Sequence, residues 1–135
     1  MILALDTNVY TAYMRGAAEV RARVSAAQRV VLPAATVAEL LYGFRHGTRY
    51  EKNRAQLDEF LASPFVEFHP ATLKTADRFG RISAALRRAG TPIPVNDVWI
   101  AAQAMASGAV LLTGDGHFGR IPGLAFIRIA PSGGE

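Results

Sequence analysis

The chain has 135 residues, half of them hydrophobic and 19% charged, a length that fits one compact domain and a composition that excludes a disordered or low-complexity protein. It contains no cysteine, which excludes disulfides, thiolate zinc sites, iron–sulfur clusters and cysteine nucleophiles. Fifteen Lys and Arg against eleven Asp and Glu leave a net charge of +4, and thirteen of the fifteen are arginine, whose planar fork grips phosphate and points mildly to a polyanionic partner.

In chain order, Ile2-Leu3-Ala4-Leu5 reads as a short apolar strand, followed by a helical pattern through Gln28. Val30-Val31-Leu32 is a second strand, stopped by Pro33. Thr36 to Phe44 is helical, and Arg49 to Ala62 is a more solvated helix. Phe65 to Phe68 is a third strand, and Ala71 to Ala89 a long helix closed by Gly90. Ala76, Phe79, Ile82 and Leu86 form its core-facing stripe, while Lys74, Arg78, Arg81 and Arg88 share another face. Thr91 to Pro94 is extended, and Asn96 caps a helix running to about Ser107. Ala109 to Leu112 and Ala125 to Ile129 are the fourth and fifth strands. Short apolar strands separated by helices predict an α/β fold with a mostly parallel sheet covered on both faces. Its ligand crevice lies beyond the carboxyl ends of the strands. Residues 1–130 form the domain, and Pro131 to Glu135 reads as a frayed tail. The apolar stretch from Val30 to Phe44 is broken by Pro33 and Glu39 and is too short to span a bilayer. Met1 to Leu5 meets Asp6 at once, with no basic segment or signal-peptide core. The expectation is a soluble, cytoplasmic protein without membrane contact.

Sorting the acids by their neighbours separates two populations. Glu19, Glu51, Asp58, Glu59, Asp77 and Glu135 sit among polar residues, and Glu67 alternates outward on a strand. Asp6, Glu39, Asp97 and Asp115 are flanked by apolar residues instead. Asp6 follows the first strand and Asp115 the fourth, Asp97 opens a helix, and Glu39 lies in the first turn after the second strand. All four can converge on the carboxyl edge of one sheet. Packed together, ionised carboxylates repel and raise each other's pKa, and a divalent cation relieves them. An all-oxygen site selects a hard ion, Mg²⁺ or Mn²⁺. If these four acids surround a metal, the other seven face fifteen cations, a surplus of eight. A basic body around an acidic pocket suits a nucleic-acid backbone.

Each acid also has a local reading. Asp6 can cap the following helix, and Thr36-Val37-Ala38-Glu39 can be a capping box. Asp97 is favoured by a helix dipole, and Asp115 in Gly114-Asp115-Gly116 by a turn. Their joint occurrence at four element ends favours a common site. Thr7, Asn8, Asn96 and Thr113 flank the acids and either orient carboxylates and metal waters or cap locally. His117 is read as a loop histidine in preference to a proton shuttle, and His46 and His69 as surface or packing residues. Trp99 and Tyr42 are assigned to the core, and Tyr10 and Tyr13 to burial or partner contact. The Lys74/Arg78/Arg81/Arg88 face is by default solvated, and is also the candidate RNA contact.

With these residues in place, the chain resembles PIN-domain proteins, specifically VapC-type ribonuclease toxins. Leu5-Asp6-Thr7-Asn8 resembles the first motif and Val37-Ala38-Glu39-Leu40-Leu41-Tyr42-Gly43 the second. The most telling stretch runs from Pro94 to Ala102, then from Gly108 to Phe118, ending in Ile121-Pro122-Gly123-Leu124. The resemblance implies a three-layer α/β/α fold whose five-stranded parallel sheet has the order 3-2-1-4-5. It implies Asp6, Glu39, Asp97 and Asp115 as the catalytic quartet of an Mg²⁺- or Mn²⁺-dependent endoribonuclease. Such an enzyme is the toxin of a type II toxin–antitoxin system, homodimeric and neutralised by a small cognate antitoxin. Gly116 and His117 stand beside Asp115 where relatives often carry a further acid, which leaves the number of metals open. The expected chemistry has Asp6, Asp97 and Asp115 on the ion, with Glu39 bound directly or through water. In-line attack of a metal-activated water then cuts the RNA, while cations such as Arg81 or Arg88 position it. A phosphatase using Asp6 as nucleophile is disfavoured by Asn8 two residues on and by having only Lys52 and Lys74 as lysines. A non-catalytic RNA- or protein-binding module on the same fold is the alternative reading.

Overall fold

The computed structural model describes residues 1–130; the segment 131–135, expected to fray, lies outside the described residues. The elements in order are β1 (Ile2–Leu5), α1 (Thr7–Met14), α2 (Ala18–Ala26), β2 (Arg29–Pro33), α3 (Ala34–His46) and α4 (Tyr50–Leu61). They continue with β3 (Val66–His69), α5 (Leu73–Ala89), α6 (Val95–Ala106), β4 (Val110–Thr113), a 3-10 helix (Gly116–Arg120) and β5 (Phe126–Arg128). All five strands pair in parallel in the order β3-β2-β1-β4-β5, the order the resemblance implies.

The sheet is covered on both faces because its strands are apolar at consecutive positions, and alternate residues point to opposite sides. Leu3 and Leu5 of β1, with Val30 and Leu32 of β2, pack against Val9, Tyr10, Val20, Val24, Val37, Leu40 and Leu57 from α1 to α4. Ala4, Val31 and Leu111 point the other way, to Ile82 and Leu86 of α5 and to α6. Ala101, Ala102 and Ala104 are fully buried, and their small side chains let α6 lie close on the sheet.

Several expectations are corrected. The helical pattern through Gln28 is two helices, because Gly16 turns the chain at φ +84°, a conformation that costs a residue with a Cβ about 1 kcal/mol or more. On α5 the stripe includes Thr75, which is buried, while Ala76 is exposed. Thr72 caps α5 through a reciprocal box with Thr75, and Gly90 closes it in the left-handed conformation. Tyr42 is 67% exposed rather than core, because Thr36, Val37 and Leu40 take the buried side of α3. Asn96 is not a helix cap. Pro94 holds that position, and the Nδ2 of Asn96 is buried without a hydrogen-bond partner among the described residues.

The start of α3 shows how tertiary structure completes local structure. Pro33 stands at its N-cap and offers no side-chain hydrogen bond, which leaves the first amides without local acceptors. Gln103 of α6, 1% exposed, supplies one. Its Oε1 accepts from the Ala35 N–H at 2.9 Å, and its Nε2 donates to the His69 carbonyl at 2.8 Å. One buried amide thus ties α6 to α3 and to the end of β3, at the carboxyl edge of the sheet.

Candidate metal centre

That edge gathers the four apolar-flanked carboxylates. Asp6 follows β1 and forms the N-cap of α1; it is 6% exposed. Its Oδ1 accepts from the Val9 N–H at 2.9 Å, and its Oδ2 accepts from the Thr113 hydroxyl at the end of β4. The local cap reading and the shared-site reading therefore both describe Asp6. Burial pushes its pKa above the ordinary 3.8; the bonds from Thr113 and Val9 pull against that rise, and the charges of Asp97 and Asp115 add to it.

Glu39 lies in the second turn of α3 rather than the first, and no capping box forms. Thr36 instead donates to the Leu5 carbonyl at 3.0 Å, and the Glu39 carboxylate accepts from the Thr7 hydroxyl. Asp97 occupies the first turn of α6. Burial raises its pKa too; the His117 hydrogen bond and charge lower it, while Glu39 and Asp115 raise it. Asp115 caps the 3-10 helix by accepting from the His117 N–H at 3.1 Å. Its own N–H donates to Thr113 Oγ1 at 3.0 Å.

All four carboxylates, with Thr7 and Asn8, line one cleft of about 280 Å³ backed by Ile100 and Phe118. Among the described residues, no lysine or arginine lines it. Four acids drawn together without a lysine or arginine in the lining form a donor set that suits a hard divalent ion. The structure thus brings together the quartet and, of the flanking polar residues, Thr7 on Glu39 and Thr113 on Asp6. Asn8 lines the cleft with an exposed side chain. Asn96 does not line it. Lys74, Arg78, Arg81 and Arg88 lie on α5 outside the cleft lining, and Arg81 pairs with Asp77 at 3.0 Å.

Two features lie here that the sequence reading undervalued. His117, read as a loop histidine, sits between Asp97 and Asp115 with its side chain 20% exposed. A larger groove of about 770 Å³ adjoins the cleft, sharing Asn8 and Asp115, and is lined by Arg15 and Arg128. The Arg128 guanidinium packs against Gly116, where an added Cβ would come within 2.8 Å of it. No local pattern marks Arg15 or Arg128, because sequence-distant segments bring them to the groove.

A PIN-domain family profile matches residues 3–124. The chain belongs to the PIN-domain family. The PIN domain is 34% identical over 112 residues to Ribonuclease VapC2 of Haemophilus influenzae, covering 81% of this chain and 83% of that protein. It is 32% identical over 123 residues to the tRNA(fMet)-specific endonuclease VapC of Salmonella typhimurium, covering 89% of this chain and 92% of that protein. Among solved structures, it superimposes with a TM-score of 0.85 on a chain of VapBC2 from Rickettsia felis bound to a promoter DNA fragment. The identity there is 28%, over 96% of this chain and 99% of that one. The VapBC-1 structure of nontypeable Haemophilus influenzae gives a TM-score of 0.84 at 29% identity. Among the described residues of the PIN domain, no helix is long and apolar enough to cross a membrane.

Proposed function

We propose that this PIN domain is an Mg²⁺- or Mn²⁺-dependent endoribonuclease and the toxin of a type II toxin–antitoxin pair. The observation that carries the reading is the convergence of Asp6, Glu39, Asp97 and Asp115, from four separate segments, on one cleft without a lysine or arginine in its lining. The VapC relatives, named as ribonucleases and solved as VapBC complexes, support the substrate class and the partner.

Asp6, Asp97 and Asp115 would hold the ion, with Glu39 bound directly or through water. A bound divalent cation would supply the Lewis acidity that ionises water near neutral pH and offsets charge on the scissile phosphate. The chain's own residues do the positioning. The Thr113 hydroxyl fixes one oxygen of Asp6 and the Val9 amide the other, so the carboxylate cannot rotate. Thr7 holds Glu39 toward the cleft. Arg15 and Arg128 put positive charge along the groove that opens from Asp115, where an RNA backbone leaving the cleft would run. The α5 cations Lys74, Arg81 and Arg88, which are exposed, and the half-buried Arg78 extend that field. A small cognate antitoxin and homodimerisation complete the reading, which places the protein in the cytoplasm with its RNA substrate.

The test is cleavage of a structured RNA pool with Mn²⁺, with Mg²⁺ and with EDTA, comparing wild type with Asp6→Asn purified in parallel. Metal-dependent cutting that vanishes in the variant is expected. RNA binding without cutting by either protein, after removal of any co-purified antitoxin, would instead establish a non-catalytic binding module.

A further inference from the structure

We infer that His117 is itself a ligand of the cation, through Nε2 beside Asp97, and that Asp115 acts on it from behind as the carboxylate that orients the imidazole. The inference rests on the proposed metal-dependent reading in requiring a divalent ion in the cleft, and it puts His117 in place of Asp115 among the residues that would hold that ion.

The geometry starts from the short 3-10 helix after β4. Phe118 is 1% exposed, which anchors this turn and places the neighbouring His117 at the cleft. Its Nε2 lies 2.7 Å from Asp97 Oδ2, and its Nδ1 lies 2.9 Å from Asp115 Oδ1. Both partners are carboxylate oxygens, which accept hydrogen bonds when ionised. A neutral imidazole has a single N–H, so it serves one carboxylate and aims a nitrogen lone pair at the other. In the metal-free protein a hydrogen bond joins Nε2 to Asp97 Oδ2; a bound cation would take the place of that proton, between the nitrogen and oxygen lone pairs.

The surroundings decide which nitrogen is which. Asp115 is held at three points. Its N–H donates to Thr113 Oγ1, and its Oδ1 accepts the His117 backbone N–H and faces Nδ1. That fixed carboxylate receives the Nδ1 hydrogen, as carboxylates do for metal-bound histidines, where they set the tautomer and ring orientation. Nε2 is then the free donor, on the same side as Asp97. One ligand atom from each of Asp97, Asp115 and His117 lies within 4.8 Å of the others. Asp115 is also the more exposed neighbour, with 47% of its side chain accessible against 19% for Asp97, which suits a supporting role.

An imidazole nitrogen changes the metal preference. It adds little for Mg²⁺, which favours oxygen, and more for a first-row transition ion. The site should therefore take Mn²⁺ in preference to Mg²⁺.

The experiment loads the full chain with Mn²⁺ and records pulsed electron paramagnetic resonance for coupling to ¹⁴N, with calorimetric titration of Mn²⁺ and Mg²⁺. Wild type should show a directly bound nitrogen. His117→Gln should lose that coupling, bind Mn²⁺ roughly tenfold or more weakly, and change Mg²⁺ affinity by less than about threefold. Asp115→Asn should keep the nitrogen coupling and weaken Mn²⁺ about tenfold. Tight Mn²⁺ binding without nitrogen coupling in wild type, or coupling that survives His117→Gln, would overturn the assignment while leaving the metal-dependent reading intact. Failure of wild type to bind either ion would overturn both.

Discussion

Replacing Thr113 by valine removes one hydroxyl from the most constrained point of the cleft and nothing else, since the two side chains have nearly the same shape. Thr113 is fully buried. Its hydroxyl donates to Asp6 Oδ2 and accepts the Asp115 N–H at 3.0 Å. In the variant, a carboxylate 6% exposed loses one of its two donors, and an amide loses its acceptor. A hydrogen bond to a charged group contributes about 1.5–3 kcal/mol and a neutral one about 1 kcal/mol, so the metal-free protein should lose about 2–4 kcal/mol near neutral pH. The cost also has a pH signature. The folded-state pKa of Asp6 already stands above its ordinary value through burial, and Thr113 pulls it down; without Thr113 it rises further. A carboxyl whose folded pKa is raised takes up its proton more readily when folded, so stability falls as pH rises above the ordinary carboxylate range and is recovered as pH falls. The penalty of Thr113→Val should thus shrink in acid, where protonated Asp6 no longer needs the donor. Urea unfolding of both proteins in EDTA, near neutral pH and at about pH 4.5, measures it. A loss below about 0.5 kcal/mol at neutral pH, or an equal loss at both pH values, would refute the assigned role of the hydroxyl.

Asp6→Asn should abolish RNA cleavage yet leave metal-free stability at neutral pH unchanged or higher, because a buried charge among like charges is removed; a circular-dichroism melt in EDTA checks it. Asp6 and Asp97 are both shifted upward, so the difference in stability between wild type and Asp6→Asn should narrow as pH falls from neutral toward about 4, and a difference constant with pH would contradict those shifts. Gln103→Leu should cost about 2–4 kcal/mol by stranding the Ala35 amide and the His69 carbonyl; a urea midpoint within error of wild type would exclude that bridge. Thr7→Val, which frees Glu39, should weaken Mn²⁺ binding up to about tenfold with little change in unfolding free energy, and calorimetry reads the difference.

The central strands were legible because each is a short apolar run closed by a polar or turn residue. Ile2 to Leu5 ends at Asp6, and Val30 to Leu32 at Pro33. Gly90 marked the end of α5 for a similarly local reason, since its φ of +68° is one that residues with a Cβ avoid. The four carboxylates stood out because charges among apolar neighbours need a compensating reason. The split between α1 and α2 was missed because alanine-rich sequence on both sides of Gly16 keeps a helical pattern through the break. The capping box at Thr36 and Glu39 failed for a different reason. Both side chains found partners elsewhere, at Leu5 and Thr7, and those partners lie about thirty residues away.

That contrast separates what the sequence by itself determined from what tertiary structure decided. Element type, the glycine stop of α5 and the identity of the unusual acids depend on neighbours within a turn or two, where sterics, periodicity and solvation act along the chain. Which hydroxyl meets which carboxylate does not. Thr113 and Asp6 are 107 residues apart, Gln103 and Ala35 are 68 apart, and His117 and Asp97 are 20 apart. Parallel pairing of β1 with β4, and the close approach of α6 to the sheet, bring them within hydrogen-bond range. A hydrogen bond needs its partners within about 3 Å, and only the packed sheet sets positions across the chain to that tolerance.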